Sequence, residues 1–213
     1  MTLRNSRVLF LLVFLFWTAG IARADAIFDF NSDPVGSDFY GPSTTFSNTS
    51  NGLTATFSSP AFPGGFAVAL VPFFAPPFGG NILYDPGRQP VSNIALDIAF
   101  SSNLTSIAMD FATDGTGPFA LTAFEGGVPV GSVVATGTIR AGFQYPQGSI
   151  TVSGVTFDGI ELTAPSTPHF AIDNVDAAIA TPEPTSLVLL GTGLLGLLAF
   201  AALKKRYAPE AIC

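Results

Sequence analysis

Cysteine is nearly missing from this chain: one residue in 213, Cys213, and it is the last. The folded part can therefore contain neither a disulfide nor a cysteine metal cluster. A prenylation box is excluded as well, because it needs its cysteine four residues from the end. Histidine is equally scarce. His169 stands alone, which rules out multi-histidine zinc and transition-metal sites. Charged residues make up only 11% of the chain, and basic ones are thinnest in the middle. Between residues 25 and 180 only Arg88 and Arg140 oppose 13 acids, a balance of −11. Nucleic-acid binding requires Lys and Arg to neutralise phosphates, so no nucleic acid is expected as a partner. An anionic membrane surface would repel this stretch too. A cation, a neutral sugar or a protein is what such a surface can accept.

The basic residues that are present mark the two ends. Arg4 and Arg7 precede an apolar run from Val8 to Trp17, followed by Ala22-Arg23-Ala24. A basic start, a short apolar run and an A-x-A site compose a secretory signal peptide, with cleavage expected after Ala24. Ala24-Asp25-Ala26 offers a second cleavage site. The run is short for an uncleaved membrane anchor. The other end reads Pro182-Glu183-Pro184-Thr-Ser, then Leu187 to Leu203, then Lys204-Lys205-Arg206. As a helix the apolar stretch would be about 26 Å long, just enough to cross a bilayer core. Lys204, Lys205 and Arg206 would then stop transfer and stay on the cytoplasmic side. Gly191, Gly193 and Gly196 thin this helix, but no G-x-x-x-G pair suggests a dimer face.

Pro182-Glu183-Pro184, the immediate apolar helix with a Gly-rich first half, and the short basic cluster together resemble the PEP-CTERM sorting signal. The same segment is also known as the carboxyl-terminal type of ice-binding proteins. The resemblance implies a Gram-negative bacterium and recognition by an exosortase-type membrane transpeptidase. It further implies transfer to the outer surface or an exopolysaccharide matrix, with Pro182, Glu183 and Pro184 as recognition residues. Tyr207 to Cys213 runs past the basic cluster for longer than the pattern leads one to expect. Three regions follow: a signal peptide over 1–24, an ectodomain over 25–180, and a sorting tail over 181–213.

The ectodomain lacks helical periodicity. With 21 Phe in the chain it is too aromatic for a disordered segment. About 150 residues suffice for a core without staples. Its apolar residues alternate in short runs: Leu53 to Phe57, Ile94 to Ile98, Ser106 to Phe111, Phe119 to Phe124, Val128 to Thr136, Ser149 to Val152, Gly159 to Thr163, and His169 to Val175. Gly, Pro, Asn and Ser separate them. Asp114-Gly-Thr-Gly117 and Glu125-Gly-Gly127 suit tight hairpins. About ten strands with one buried face predict an all-β, antiparallel β-sandwich. A jelly-roll-like order is expected, placing the first and last strands side by side. Leu121 to Val128, Gly148 to Val152, Phe157 to Glu161 and Phe170 to Val175 also resemble the sandwich ectodomains often joined to PEP-CTERM tails. Those are similar in outline to carbohydrate-binding jelly rolls. Between Ser59 and Gly80, Ala67 to Val71 suits a fully buried strand. Phe73, Phe74 and Phe78 are expected to plug one end of the sandwich; the alternative is an apolar surface patch.

Candidate chemistry is sparse. A catalytic triad needs a nucleophile oriented by a base, yet no G-x-S-x-G or internal cysteine accompanies His169, which reads as an ordinary strand-edge residue. Paired carboxylates could cleave glycosides, but spacing selects no pair among Asp110, Asp114, Glu125, Asp158, Glu161, Asp173 and Asp176. Similar jelly rolls carry a structural calcium where first and last strands meet. By that resemblance Asp29 and Asp173, with Asn174 and Asp176 beside the latter, are its candidate ligands; the D-x-D-x-D-G loop is absent. Asn48 and Asn103 fit glycosylation sequons and read as turn residues. The expected function is a non-enzymatic cell-surface or matrix protein. The alternative is a carbohydrate-binding module attached to extracellular polysaccharide, and a hydrolase ranks third.

Overall fold

The computed structural model describes residues 25–36, 38–40, 44–60, 65–70, 73–86, 94–166, 169–180, 191 and 193–198. Ala22 and Ala24, the Pro182 to Pro184 motif and the Lys204 to Arg206 cluster lie outside them. Two compact units divide the chain, residues 1–180 and 181–213. In the second, Gly191 and residues 193–198 are helical, with Leu195, Leu197 and Leu198 exposed. Most of the expected 187–203 helix falls outside the described residues. Among the described residues no helix is long and apolar enough to cross a membrane.

The strands described in the first unit all pair antiparallel. Its strands are β1 (Asp25–Phe28), β2 (Asp38–Tyr40), β3 (Thr45–Ser50), β4 (Leu53–Ser58), β5 (Gly65–Leu70) and β6 (Asn81–Tyr84). They continue as β7 (Ala95–Thr113), β8 (Pro118–Glu125), β9 (Val128–Thr136), β10 (Thr138–Ile139), β11 (Pro146–Thr163) and β12 (Phe170–Ile179). Two of the runs expected as separate strands, 94–98 and 106–111, are halves of the 19-residue β7. Ser101-Ser102-Asn103 between them carries no Gly or Pro to end the pairing. Likewise 149–152 and 159–163 merge into the 18-residue β11. There Gly154 takes φ +82, and the register slips between Ser153 and Phe157. A positive φ suits glycine, and an irregular register lets a strand bend without ending.

These two long strands join the layers. The first half of β7 pairs with β4 and with the second half of β11, which pairs in turn with β8 and then β9. The second half of β7 pairs with β12 and with the first half of β11. β6, β5 and β2 extend that second layer. β1 pairs with β12 through Asp25 opposite Ala178, so the first and last strands do lie side by side.

Alternation selects the core. On β4, Leu53, Ala55 and Phe57 are buried while Thr54, Thr56 and Ser58 face outward. The same principal core takes Leu96 and Ile98 from β7, Leu121 from β8, and Ile172 and Val175 from β12. Aromatic rings bridge the layers. Phe111 stacks on Phe119 at 4.4 Å, Phe119 meets Phe170 edge-on at 5.2 Å, and Phe170 meets Phe66 at 5.1 Å. Turn chemistry agrees with the sequence: Gly126 and Gly127, joining β8 to β9, both have positive φ, the conformation a two-residue hairpin requires.

Candidate functional site

A row of register partners crosses the second layer: Tyr84 on β6, Ala171 on β12, Ala112 on β7 and Gln147 on β11. Their neighbours Leu83, Ile172 and Phe111 belong to the principal core. Strand side chains alternate between faces, so this row lies on the opposite, outer face. Two alanines in its middle leave a depression.

Residues 73–80 cover part of that face. Phe78 and Ile82 join Ala112 and Ala171 in a second small core, with Phe74 and Tyr84 packed against it. Phe74 is held between Phe78 at 5.0 Å and Tyr145 at 5.5 Å. Phe73 remains 61% exposed. The plug expected for these phenylalanines is therefore corrected. Phe78 and Phe74 lie against an outer face, away from the principal core, because the outward alanines offer them an apolar seat. The Ala75 N–H donates to Gln147 Oε1 at 3.2 Å. Gln147 Nε2, beside it, is buried without a hydrogen-bond partner among the described residues.

Beside this cover opens a cleft of about 450 Å³, lined among others by Phe73, Phe74, Tyr84, Asp85, Tyr145 and His169. That size falls in the range of small-ligand sites. His169 was expected to be an ordinary edge residue. Its Nδ1 instead lies 2.7 Å from Asp85 Oδ2, with Asp85 buried and His169 half-buried. Backbone bonds fix the pair: the Asp85 N–H donates to Phe170 O, and the Asp114 N–H to His169 O. Thr113 also lines the cleft, and its hydroxyl donates to Gly115 O at 2.8 Å. No Lys or Arg is among the described lining residues. Sequence reasoning missed Tyr84, Asp85 and Tyr145, for no local pattern links them to a histidine 84 residues from Asp85.

The junction of first and last strands holds a separate network. Asp173, wholly buried in β12, accepts from Gly79 N at 3.1 Å and Asn174 N at 2.8 Å. Asn174 takes φ +50 and donates to Pro77 O and to Asp110 Oδ2. Asp29 Oδ1 accepts from Asn31 N, and Asn48 donates to Asp33. These carboxylates anchor residues 29–33 and 77–79 to the sheet. Among the described residues no group of three or more His, Cys, Asp and Glu is arranged to hold a metal ion. The donors to Asp29 and Asp173 are backbone N–H groups. Calcium takes no part in the function proposed below. Of the other acids, Asp158 accepts from Gly126 N, Glu125 lies exposed beside that turn, and Asp176 is exposed on β12.

Burial raises the Asp173 pKa to about 6, with Asp110 and Asp29 adding to the rise and the two N–H bonds opposing it. Asp97 is raised to about 6 by burial and then by Glu161, its register partner on β11. A raised folded pKa means that folding favours the protonated carboxyl. The resulting stability is complete below about pH 4 and disappears as pH rises through about 6. Chemical denaturation should therefore show a more stable domain at about pH 5 than at about pH 7.5. Asp97→Asn should add roughly 0.2–1 kcal/mol at the higher pH, the range for relieving like charges set opposite each other in a sheet. Equal stability at the two pH values would contradict this account.

Comparison with known proteins bears on the two units separately. Residues 180–206 match the PEP-CTERM protein-sorting motif. No curated protein matches the chain. Solved structures similar to it include the K1 cleaved adhesin domain of Lys-gingipain from Porphyromonas gingivalis W83, at 10% identity and a TM-score of 0.45. That match covers 74% of this chain and 99% of that one. The K2 adhesin domain of Lys-gingipain is similar at 14% identity, a TM-score of 0.44 and the same coverages. A family 29 carbohydrate-binding module from Piromyces equi follows at 10% identity and a TM-score of 0.38, over 75% of this chain and 93% of that one. Likenesses this distant carry no argument about what the cleft holds. The sorting motif is the firm assignment.

Proposed function

We propose that the protein is exported across the inner membrane of a Gram-negative bacterium and sorted by an exosortase-type transpeptidase to the cell surface or an exopolysaccharide matrix. There its jelly-roll-like sandwich acts without catalysing a reaction. One observation carries this reading: the motif match over residues 180–206, behind a chain that begins with a signal-peptide pattern. The order of parts has a physical logic. A leader starts transfer, the apolar stretch from Leu187 to Leu203 halts it, and Lys204, Lys205 and Arg206 keep the end inside. Pro182-Glu183-Pro184 then stands at the outer face of the inner membrane, where a membrane transpeptidase reaches it.

Mass and location of the mature protein in its host test this. The intact protein should lack residues 1–24, lose its tail near Pro184 and leave the inner membrane. With Pro182, Glu183 and Pro184 replaced by Ala, it should retain the tail and stay there. If both forms keep Leu187 to Arg206 in the inner membrane, the motif is incidental and the protein is a plain anchored ectodomain.

A second reading, a carbohydrate-binding ectodomain tied to extracellular polysaccharide, is favoured by the cleft. Its lining combines flat aromatic rings with hydrogen-bonding groups and includes no described Lys or Arg.

A further inference from the structure

The geometry points to the cleft around Phe73, Tyr84, Asp85, Tyr145 and His169 as a binding site for a neutral saccharide. This rests on the carbohydrate-binding reading and gives it a place and a ligand class. Sugar rings have apolar C–H faces and hydroxyl edges, so they need a flat apolar surface beside hydrogen-bonding groups. The cleft offers both. The Phe73 ring is 61% exposed, next to a wall in which Phe74 is braced by Phe78 and Tyr145. Leu70, also exposed, lines the same cleft, so the two form an apolar patch at its mouth rather than a lone exposed ring. Tyr84 and Tyr145 each add a ring with a polar tip, the side chain suited to a half-wet site.

The polar side is held in advance. With Nδ1 of His169 engaged by Asp85, the other ring nitrogen, Nε2, can exchange a hydrogen bond with a sugar hydroxyl. Because Asp85 is buried and tied to Phe170 O through its own N–H, little ordering is needed on binding, which favours affinity.

Charge excludes other ligands. The ectodomain balance of −11 and a described lining without Lys or Arg disfavour uronates, sulfated sugars and phosphates. An ammonium ligand would want an unpaired carboxylate in contact with it. The buried carboxylate here is instead matched with the His169 imidazole. A ligand with hydroxyls and no net charge fits these groups.

The test uses the mature protein from its host, with calorimetric titration against three probe sets: neutral hexose oligosaccharides, uronic-acid oligosaccharides, and glucosamine oligosaccharides bearing free amines. At least one neutral probe should bind, and the charged sets should bind at least tenfold more weakly. Phe73→Ala should weaken that binding at least tenfold with an unchanged melting curve, since Phe73 is outside both cores. Asp85→Asn keeps the shape and should weaken it as well. Val134→Ala, an exposed change on the other layer, should leave it intact. The idea is overturned if no neutral probe binds, if a charged set binds as tightly, or if Phe73→Ala binds like the parent. Failure here is separable from failure of sorting. The protein with Pro182, Glu183 and Pro184 replaced by Ala, extracted from membranes, should still bind sugar, and Phe73→Ala should still be sorted.

Discussion

Phe119→Ala should lower the unfolding free energy of the ectodomain by about 3–5 kcal/mol, the range for emptying a buried aromatic position. Phe119 lies on β8 in the first layer and is fully buried. It stacks on Phe111 and meets Phe170 edge-on, both from the second layer. Its removal therefore loosens both layers at once, and neighbours held in two sheets cannot collapse into the gap without moving strands. Domains are commonly stable by only about 5–15 kcal/mol, so much of the total is at stake. For a domain of this size the melting temperature should fall by roughly 10 °C. Phe73→Ala provides the control: the same chemical change at an exposed ring should stay within about 0.5 kcal/mol. A loss below about 1 kcal/mol at Phe119 would mean that these rings do not hold the layers together.

Gly80→Ala should cost about 2–3 kcal/mol, for two reasons that can be separated. Gly80 has φ +72, and a residue with a Cβ pays about 1–2 kcal/mol in that region. A Cβ there would also collide with the Asn31 side chain, which accepts the Asn81 N–H through Oδ1 at 2.9 Å. Moving Asn31 aside breaks that bond, worth about 1 kcal/mol, and leaves the bond from Asn81 Nδ2 to Asp33 O as a remaining tie between 29–33 and 79–81. Gly126→Ala isolates the backbone part, since its φ is +57 and nothing lies near its missing Cβ; it should cost only about 1 kcal/mol. In an Asn31→Ala background, the cost of Gly80→Ala should shrink toward the same figure, a coupling that a double-mutant cycle reads directly. Equal costs for Gly80→Ala and Gly126→Ala would remove Asn31 from the account.

Much of this protein was legible in its residues. Leu53-Thr-Ala-Thr-Phe57 shows its buried and outward faces by alternation alone, and Glu125-Gly-Gly127 names its own turn. Both are local: a strand's two faces and a positive φ are decided within a few residues. The sorting motif over 180–206 reads as cleanly, because such a signal is a short linear segment. Strand number was harder to read. Ser101-Ser102-Asn103 looks like a break, yet β7 runs through it, because pairing with β4 on one side and β12 on the other keeps its backbone extended.

The cleft was not legible at all. His169 carries no neighbour in sequence that marks it, and its meaning comes from Asp85, 84 residues away. Phe73, Phe74 and Phe78 look alike as letters, but one is exposed, one half-buried and one buried. The outer face of β6, β12 and β7 decides which. By itself, then, the sequence determined the sorting motif, the all-β class and the acidic balance, since each depends on composition or on neighbours along the chain. Only the tertiary structure decided where two layers share their long strands and which distant side chains meet over two outward alanines. Those contacts follow from strand register, which no short stretch of this chain encodes.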